Sequence, residues 1–205
     1  YLAGQNGTGY AANETQVTAF DLTDGGVNWR YSDLNGGSVT DLTVADGTVL
    51  FSLRNPDTDT TAYALGADTG DQVWNYTSPT RASGVAVKNG TAFVSGENID
   101  ESSGVGAWIA GINIDTGDGR WSNEIPATPD VDYRSKEPPV VAENNVYVPV
   151  KKTIDRSTID SDSYGYVYAF DSSNGNQVAA LNYTSPADTP KLAVADGTVY
   201  ANTNE

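Results

Sequence analysis

The chain has 205 residues, enough for one large all-β domain with a buried core, and its 11 basic against 27 acidic residues give a formal charge of −16 and a pI near 4.1. That balance excludes nucleic acid or anionic membrane as partners held through a general basic surface. Cys and His are both absent, which excludes disulfides, thiolate metal sites, a Cys nucleophile and a Ser-His-Asp triad; no apolar run in this segment is long enough to insert into a membrane.

The expected elements follow one another as a repeat. YLAGQN at the start matches VYANTN near the end, so the chain is expected to begin on a B strand, with the first unit lacking its A strand. VTAFDL then alternates with the period of two that marks a strand, and AFDLTDGGVNW (19 to 29) reads strand, glycine turn, strand. LTVADGTVLFSL (42 to 53) is a hairpin around Asp-Gly, and ALGADTGDQVW (64 to 74) repeats the glycine-turn unit. GVAVKNGTAFVSG (84 to 96) and GINIDTGDGRW (111 to 121) form the next pair, PVVAENNVYVPV (139 to 150) and AFDSSNGNQVA (169 to 179) the one after, and LAVADGTVYANT (192 to 203) starts a further one.

Gly25, Gly70, Gly117 and Gly175 supply the positive φ that a tight turn demands. Two hairpins per repeat make a four-stranded unit, A to D, and tryptophans recur at 29, 74 and 121. Repetition of this length with four strands per unit predicts an all-β fold, a β-propeller of four-stranded antiparallel blades. The blades are expected at 1–32, 39–78, 82–125 and 138–185, with a fifth starting at 189–205. Each tryptophan can bury on the order of 200 Å² against a neighbouring blade, and recurrence at a fixed strand position marks it as part of the fold, not of a ligand site. In the fourth unit the tryptophan position falls on Ala179 when counted from Gly175, or on Leu181 when NYTSP at 182 is aligned with NYTSP at 75.

The pattern Tyr-Ala-x-Asp-x-x-x-Gly-x-x-x-Trp, carried by Tyr63 to Trp74 with Gly66 in place of the aspartate and by Tyr168 to Gly175 without the tryptophan, resembles the pyrroloquinoline-quinone-type (PQQ-like) propeller repeat. The resemblance implies a propeller of seven or eight blades, of which about four are present here. It implies several functions, because that family includes quinoprotein dehydrogenases, outer-membrane assembly lipoproteins that act as scaffolds, and sensor or surface domains. A quinone site of that family would require calcium-binding carboxylate and amide ligands, often beside a vicinal disulfide; no Cys exists and no matching set stands out, so neither PQQ nor another cofactor is expected.

Strand order sorts the connections onto two faces. The A–B and C–D turns share one, and the D–A and B–C links share the other, where long insertions are expected at 6–15, 54–60, 97–106, 126–137 and 151–165. Eight of the eleven basic residues map to that face or its margin, leaving Arg30, Lys88 and Arg120 elsewhere. Arg134, Lys136, Lys151, Lys152 and Arg156, with Tyr133 beside them, form the candidate partner site for an anionic or carboxylate group. The bland alternative is charge balance against Asp130, Asp132, Asp155, Asp160 and Asp162.

In DSDSYG (160 to 165), Asp160 and Asp162 match part of a calcium loop, although the third carboxylate and the downstream Glu of that loop are missing. Five N-x-Ser/Thr sequons, at Asn6, Asn13, Asn75, Asn89 and Asn182, point to export. The acidic, lysine-poor composition fits a high-salt, haloarchaeal environment. The function expected is a non-catalytic binding or scaffold domain at the cell surface, presenting its long-loop face to a protein or glycan.

Overall fold

Alternating apolar residues between tight turns leave the chain no helical stripe to bury, and the computed structural model contains strands and turns with no helix among the described residues. It describes residues 1–34, 36–54, 60–78, 81–100, 104–128, 130–154, 162–183 and 189–202. The first sheet is complete: β1 (Leu2–Gln5), β2 (Thr8–Ala12), β3 (Val17–Asp21) and β4 (Val27–Tyr31) pair in sequence order. The second comprises β5 (Ser38–Ala45), β6 (Thr48–Arg54), β7 (Thr60–Gly66) and β8 (Gln72–Thr77), and the third β9 (Arg81–Lys88), β10 (Thr91–Asp100), β11 (Gly104–Asn113) and β12 (Gly119–Ile125). In the fourth, β13 (Val131–Arg134) and β14 (Val140–Ala142) both pair with β15 (Asn145–Ile154), followed by β16 (Asp162–Asp171) and β17 (Gln177–Tyr183). A two-stranded hairpin, β18 (Lys191–Ala195) and β19 (Thr198–Asn202), begins the fifth.

The first blade therefore has its A strand, contrary to expectation. Asn6 and Gly7 take φ 51° and 81°, the same pair of left-handed values found at Asp46-Gly47, Asn89-Gly90 and Asp196-Gly197. Positive φ at both central residues defines a two-residue hairpin whose twist matches its strands. Asn6-Gly7 is thus the first A–B turn, and residues 6–15 contribute that turn and β2 instead of a long insertion on the other face. Three of the other expected insertions, at 97–106, 126–137 and 151–165, are also partly taken up by strands. β10 and β11 extend to Asp100 and from Gly104, β15 and β16 to Ile154 and from Asp162, and β13 occupies part of 126–137.

The blades join through a repeated contact. In blades 1 to 4 the amide three residues before the C–D glycine donates to the A–B turn, as in Leu22 to Gly7, Ala67 to Gly47, Ile114 to Gly90 and Ser172 to Asn144. These bonds set both turns side by side on one face. The carbonyl of that same residue, in blades 2 to 4, accepts from the indole of the preceding blade: Trp29 Nε1 to Ala67 O at 2.9 Å, Trp74 to Ile114 at 2.7 Å and Trp121 to Ser172 at 3.2 Å. Each ring lies on the next glycine. A Cβ at Gly117 would meet Trp74 Cγ at 2.7 Å, so close ring approach and a φ of +78° both require glycine there.

Register decides the fourth unit. Trp29, Trp74 and Trp121 pair with Ala19, Ala64 and Gly111, and the matching pair is Ala179 with Ala169. Ala179 holds the tryptophan position, and the single register shift beside it occurs in all four blades, so no extra bulge is needed. Three apolar cores fill the seams, one around Phe51 and Tyr63, one around Trp74 and Trp108, and one around Phe93, Ile109 and Phe170. Neighbouring A strands are joined by Thr40 Oγ1, which donates to Ala82 O at 3.3 Å, and by the equivalent Ser83 Oγ, which donates to Ser135 O.

Candidate functional site

The face opposite the turns is built from the far ends of the A and B strands. In blade 4 the A strand is interrupted by Pro138 and Pro139, which cannot donate to a ladder, so it splits into β13 and β14. β13 lies beside the end of β15, with Tyr133 opposite Lys152 and Arg134 opposite Lys151. Residues directly opposite share a face and neighbours alternate. Tyr133 and Lys152 therefore point one way, towards blade 3, and Arg134 and Lys151 the other.

The expected cluster is split by this alternation. Lys152 Nζ stands 5.8 Å from the ring centres of both Tyr133 and Tyr166, a cation held between two aromatic faces. The neighbouring Tyr168 hydroxyl is pushed up to about 12 by burial, with Tyr133 and Tyr166 adding to the effect. On the opposite side Arg134 Nη2 bonds the buried Asp132 carboxylate at 3.4 Å. Lys136 is exposed beyond the strand end, and Arg156 and Asp160 lie outside the described residues. Asp162 is exposed at the start of β16, and among the described residues no three acidic or other metal-ligating side chains come together. The sequon residues Asn6, Asn13, Asn75, Asn89 and Asn182 are all exposed.

Glu97 is the group that sequence reasoning missed. It sits on β10, opposite Arg81 on one side and Ala107 on the other, with its side chain on the blade 4 side of the sheet and only 2% of the residue exposed. Burial raises its carboxyl above the ordinary range, and Arg134, Lys136, Arg54 and Arg81 pull against that rise. Those four cations come from blades 2, 3 and 4. Glu97 Oε1 has no hydrogen-bond partner among the described residues, nor do the buried hydroxyls of Ser95, two residues along the same face, and Ser135. Cations of three blades thus act electrostatically on one buried carboxyl on the face away from the turns, in a chain with an excess of acid.

Asp41 is the second perturbed carboxyl nearby. Burial raises it, while bonds from the Val85 and Leu42 amides, at 3.0 and 2.9 Å, oppose the shift. Its role is to tie blade 2 to blade 3, since Val85 belongs to β9.

The family model for the outer membrane protein assembly factor BamB matches residues 2–205. The chain belongs to this family. A search of the curated proteins finds no match. Among solved structures it is similar to the quinohemoprotein alcohol dehydrogenase of Comamonas testosteroni, at 17% identity and a TM-score of 0.66, over 90% of this chain and 35% of that one. It is similar also to BamB of Moraxella catarrhalis, at 13% identity and a TM-score of 0.53, over 88% of this chain and 63% of that one. A europium-containing methanol dehydrogenase matches at 15% identity and a TM-score of 0.58, over 90% of this chain and 41% of that one. The BamB-family chain spans less than two thirds of each of these structures, and at such identities the likeness concerns the propeller fold.

Proposed function

We propose that this BamB-family chain is part of a non-catalytic binding or scaffold propeller, carried by an exported, cell-surface protein of a salt-adapted organism, that engages a protein or glycan through the face opposite its turns. The observation that carries the reading is that Arg54, Arg81, Arg134 and Lys136, from three blades, all act electrostatically on the buried Glu97, in a chain whose formal charge is −16. Cations set against an acidic background focus an acidic group of a partner onto one spot. Tyr133 with Lys152 supplies an aromatic and cationic surface beside it. Five exposed sequons support export, and the acidic composition supports a high-salt setting. Family membership supports protein interaction in general.

The test is affinity capture from a surface extract of the source cell at high salt, comparing wild type with charge reversal at Arg134, Lys136, Lys151 and Lys152. The reading expects a partner retained by wild type and lost on reversal with folding intact. Identical profiles overturn it.

The likeness to an alcohol dehydrogenase supports a second reading, a quinoprotein whose cofactor site lies outside this segment. Quinone absorbance together with alcohol-dependent dye reduction by the whole protein would establish that reading, and its absence would remove it. An extracellular sensor or adhesin is the remaining form of a non-catalytic role.

A further inference from the structure

We propose that the cleft between blades 3 and 4 on the turn face binds a small hydroxylated carboxylate, of the sugar-acid class, with Arg120 and Lys88 holding its carboxylate. This site is on the opposite face from the Glu97 cluster and does not rest on the partner reading. The cleft has a volume of about 400 Å³, within the range of small-molecule sites, and Phe93, buried in the seam, lines it.

Comparison among the repeats singles the two cations out. The residue before the tryptophan position is Asn28, Val73, Arg120 and Val178 in the four blades. The residue before the A–B turn is Gln5, Ala45, Lys88, Ala142 and Ala195. Uncharged side chains satisfy the fold everywhere else, and both exceptions fall at one seam. They also meet at one residue. Thr91 is the cross-strand partner of Lys88, and its Oγ1 accepts from Arg120 Nη1 at 2.7 Å. Arg120 Nη2 donates to Gly90 O at 3.2 Å, so the guanidinium is held by two bonds while three of its five N–H groups are left for a ligand.

Neither cation forms an ion pair among the described residues, despite the excess of acid in the chain. Asp171 across the cleft is already engaged. Its Oδ1 accepts from the Ser173 amide at 2.8 Å and the Ser173 hydroxyl at 2.5 Å, bonds that hold its carboxyl below the usual range. Across the cleft from the cations the lining is polar, formed by Asn144, Asp171, Ser172 and Ser173. A compact polyanion such as sulfate would meet the Asp171 charge. A ligand with a carboxylate at one end and hydroxyls at the other satisfies both walls, with its hydroxyls donating to Asp171 and exchanging bonds with Asn144.

The experiment is an amide NMR titration of the full chain with glucuronate, and with glucose and sulfate as controls. The expected result is glucuronate binding with Kd of about 1 mM, reported by residues 88–91, 120, 144 and 171–173. Glucose and sulfate should bind at least about ten-fold more weakly, and Arg120→Gln should weaken glucuronate by about ten-fold or more. Lys88→Gln should weaken it several-fold. Arg120 is exposed, and unchanged resonances elsewhere in each variant verify the fold. No localised response, an equal response to glucose or sulfate, or unchanged binding by Arg120→Gln with the fold intact would each overturn the proposal.

Discussion

The two faces of this propeller segment are made from the same sheets, yet they obey different rules. On the turn face a left-handed Asn-Gly or Asp-Gly pair recurs, and three indoles reach the same carbonyl position of the next blade. On the other face the strands end at different lengths, one A strand is broken by two prolines, and Glu97 stands at the B-strand position where the neighbouring blades carry Arg54 and Lys151. Where geometry repeats, it serves the fold; where a residue departs from its repeat position, chemistry becomes the reason to keep it. Lys88 and Arg120 bring that second rule onto the turn face itself.

The comparison breaks first at the tryptophans. Trp74→Ala should cost about 3–5 kcal/mol in urea unfolding, by loss of a buried indole and its bond to Ile114, whereas Ala179→Trp should change stability by less than about 0.5 kcal/mol because the neighbouring strand positions are exposed. A small loss at Trp74 would mean that the seams are held by something else. Gly117→Ala comes next, at about 2–4 kcal/mol, since the added methyl both forces a left-handed backbone and strikes Trp74.

A pH-dependent effect sharpens the other half. Because Glu97 binds its proton more tightly folded than unfolded, its favourable contribution is present at low pH and is lost as pH rises through the raised folded value. The stability of Glu97→Gln relative to wild type should therefore increase from pH 4 towards neutrality, and a flat difference across that range would place Glu97 outside the buried environment. The smallest stability effect is expected at Arg134→Gln. Its ion pair with Asp132 is partly exposed on the arginine side, so the loss should be under about 1 kcal/mol while partner capture falls.

Much of the fold was legible because its rules are local. Asp-Gly and Asn-Gly between apolar runs announce hairpins, and a tryptophan four residues after a glycine announces the seam. The first A strand is less legible because LAGQ has no strong apolar alternation, so Asn6-Gly7 does not stand between two apolar runs and its left-handed geometry is what identifies the turn. Ala179 could not be chosen over Leu181 until strand register counted the ladder. The site was less legible. Basic residues close in sequence, such as Lys151 and Lys152, point to opposite sides of a strand, and Glu97 gains its meaning from residues 54, 81, 134 and 136 on three blades. Sequence order carries no signal for that convergence.

Hydrogen exchange of the captured complex, resolved by peptide, tests the assignment of function to a face most directly. The account predicts new protection at residues 52–54, 81–83, 131–137 and 151–154, with the turns at 24–26, 69–71, 116–118 and 174–176 unchanged. Protection confined to those turns would contradict it and would place the partner on the face that the repeat builds.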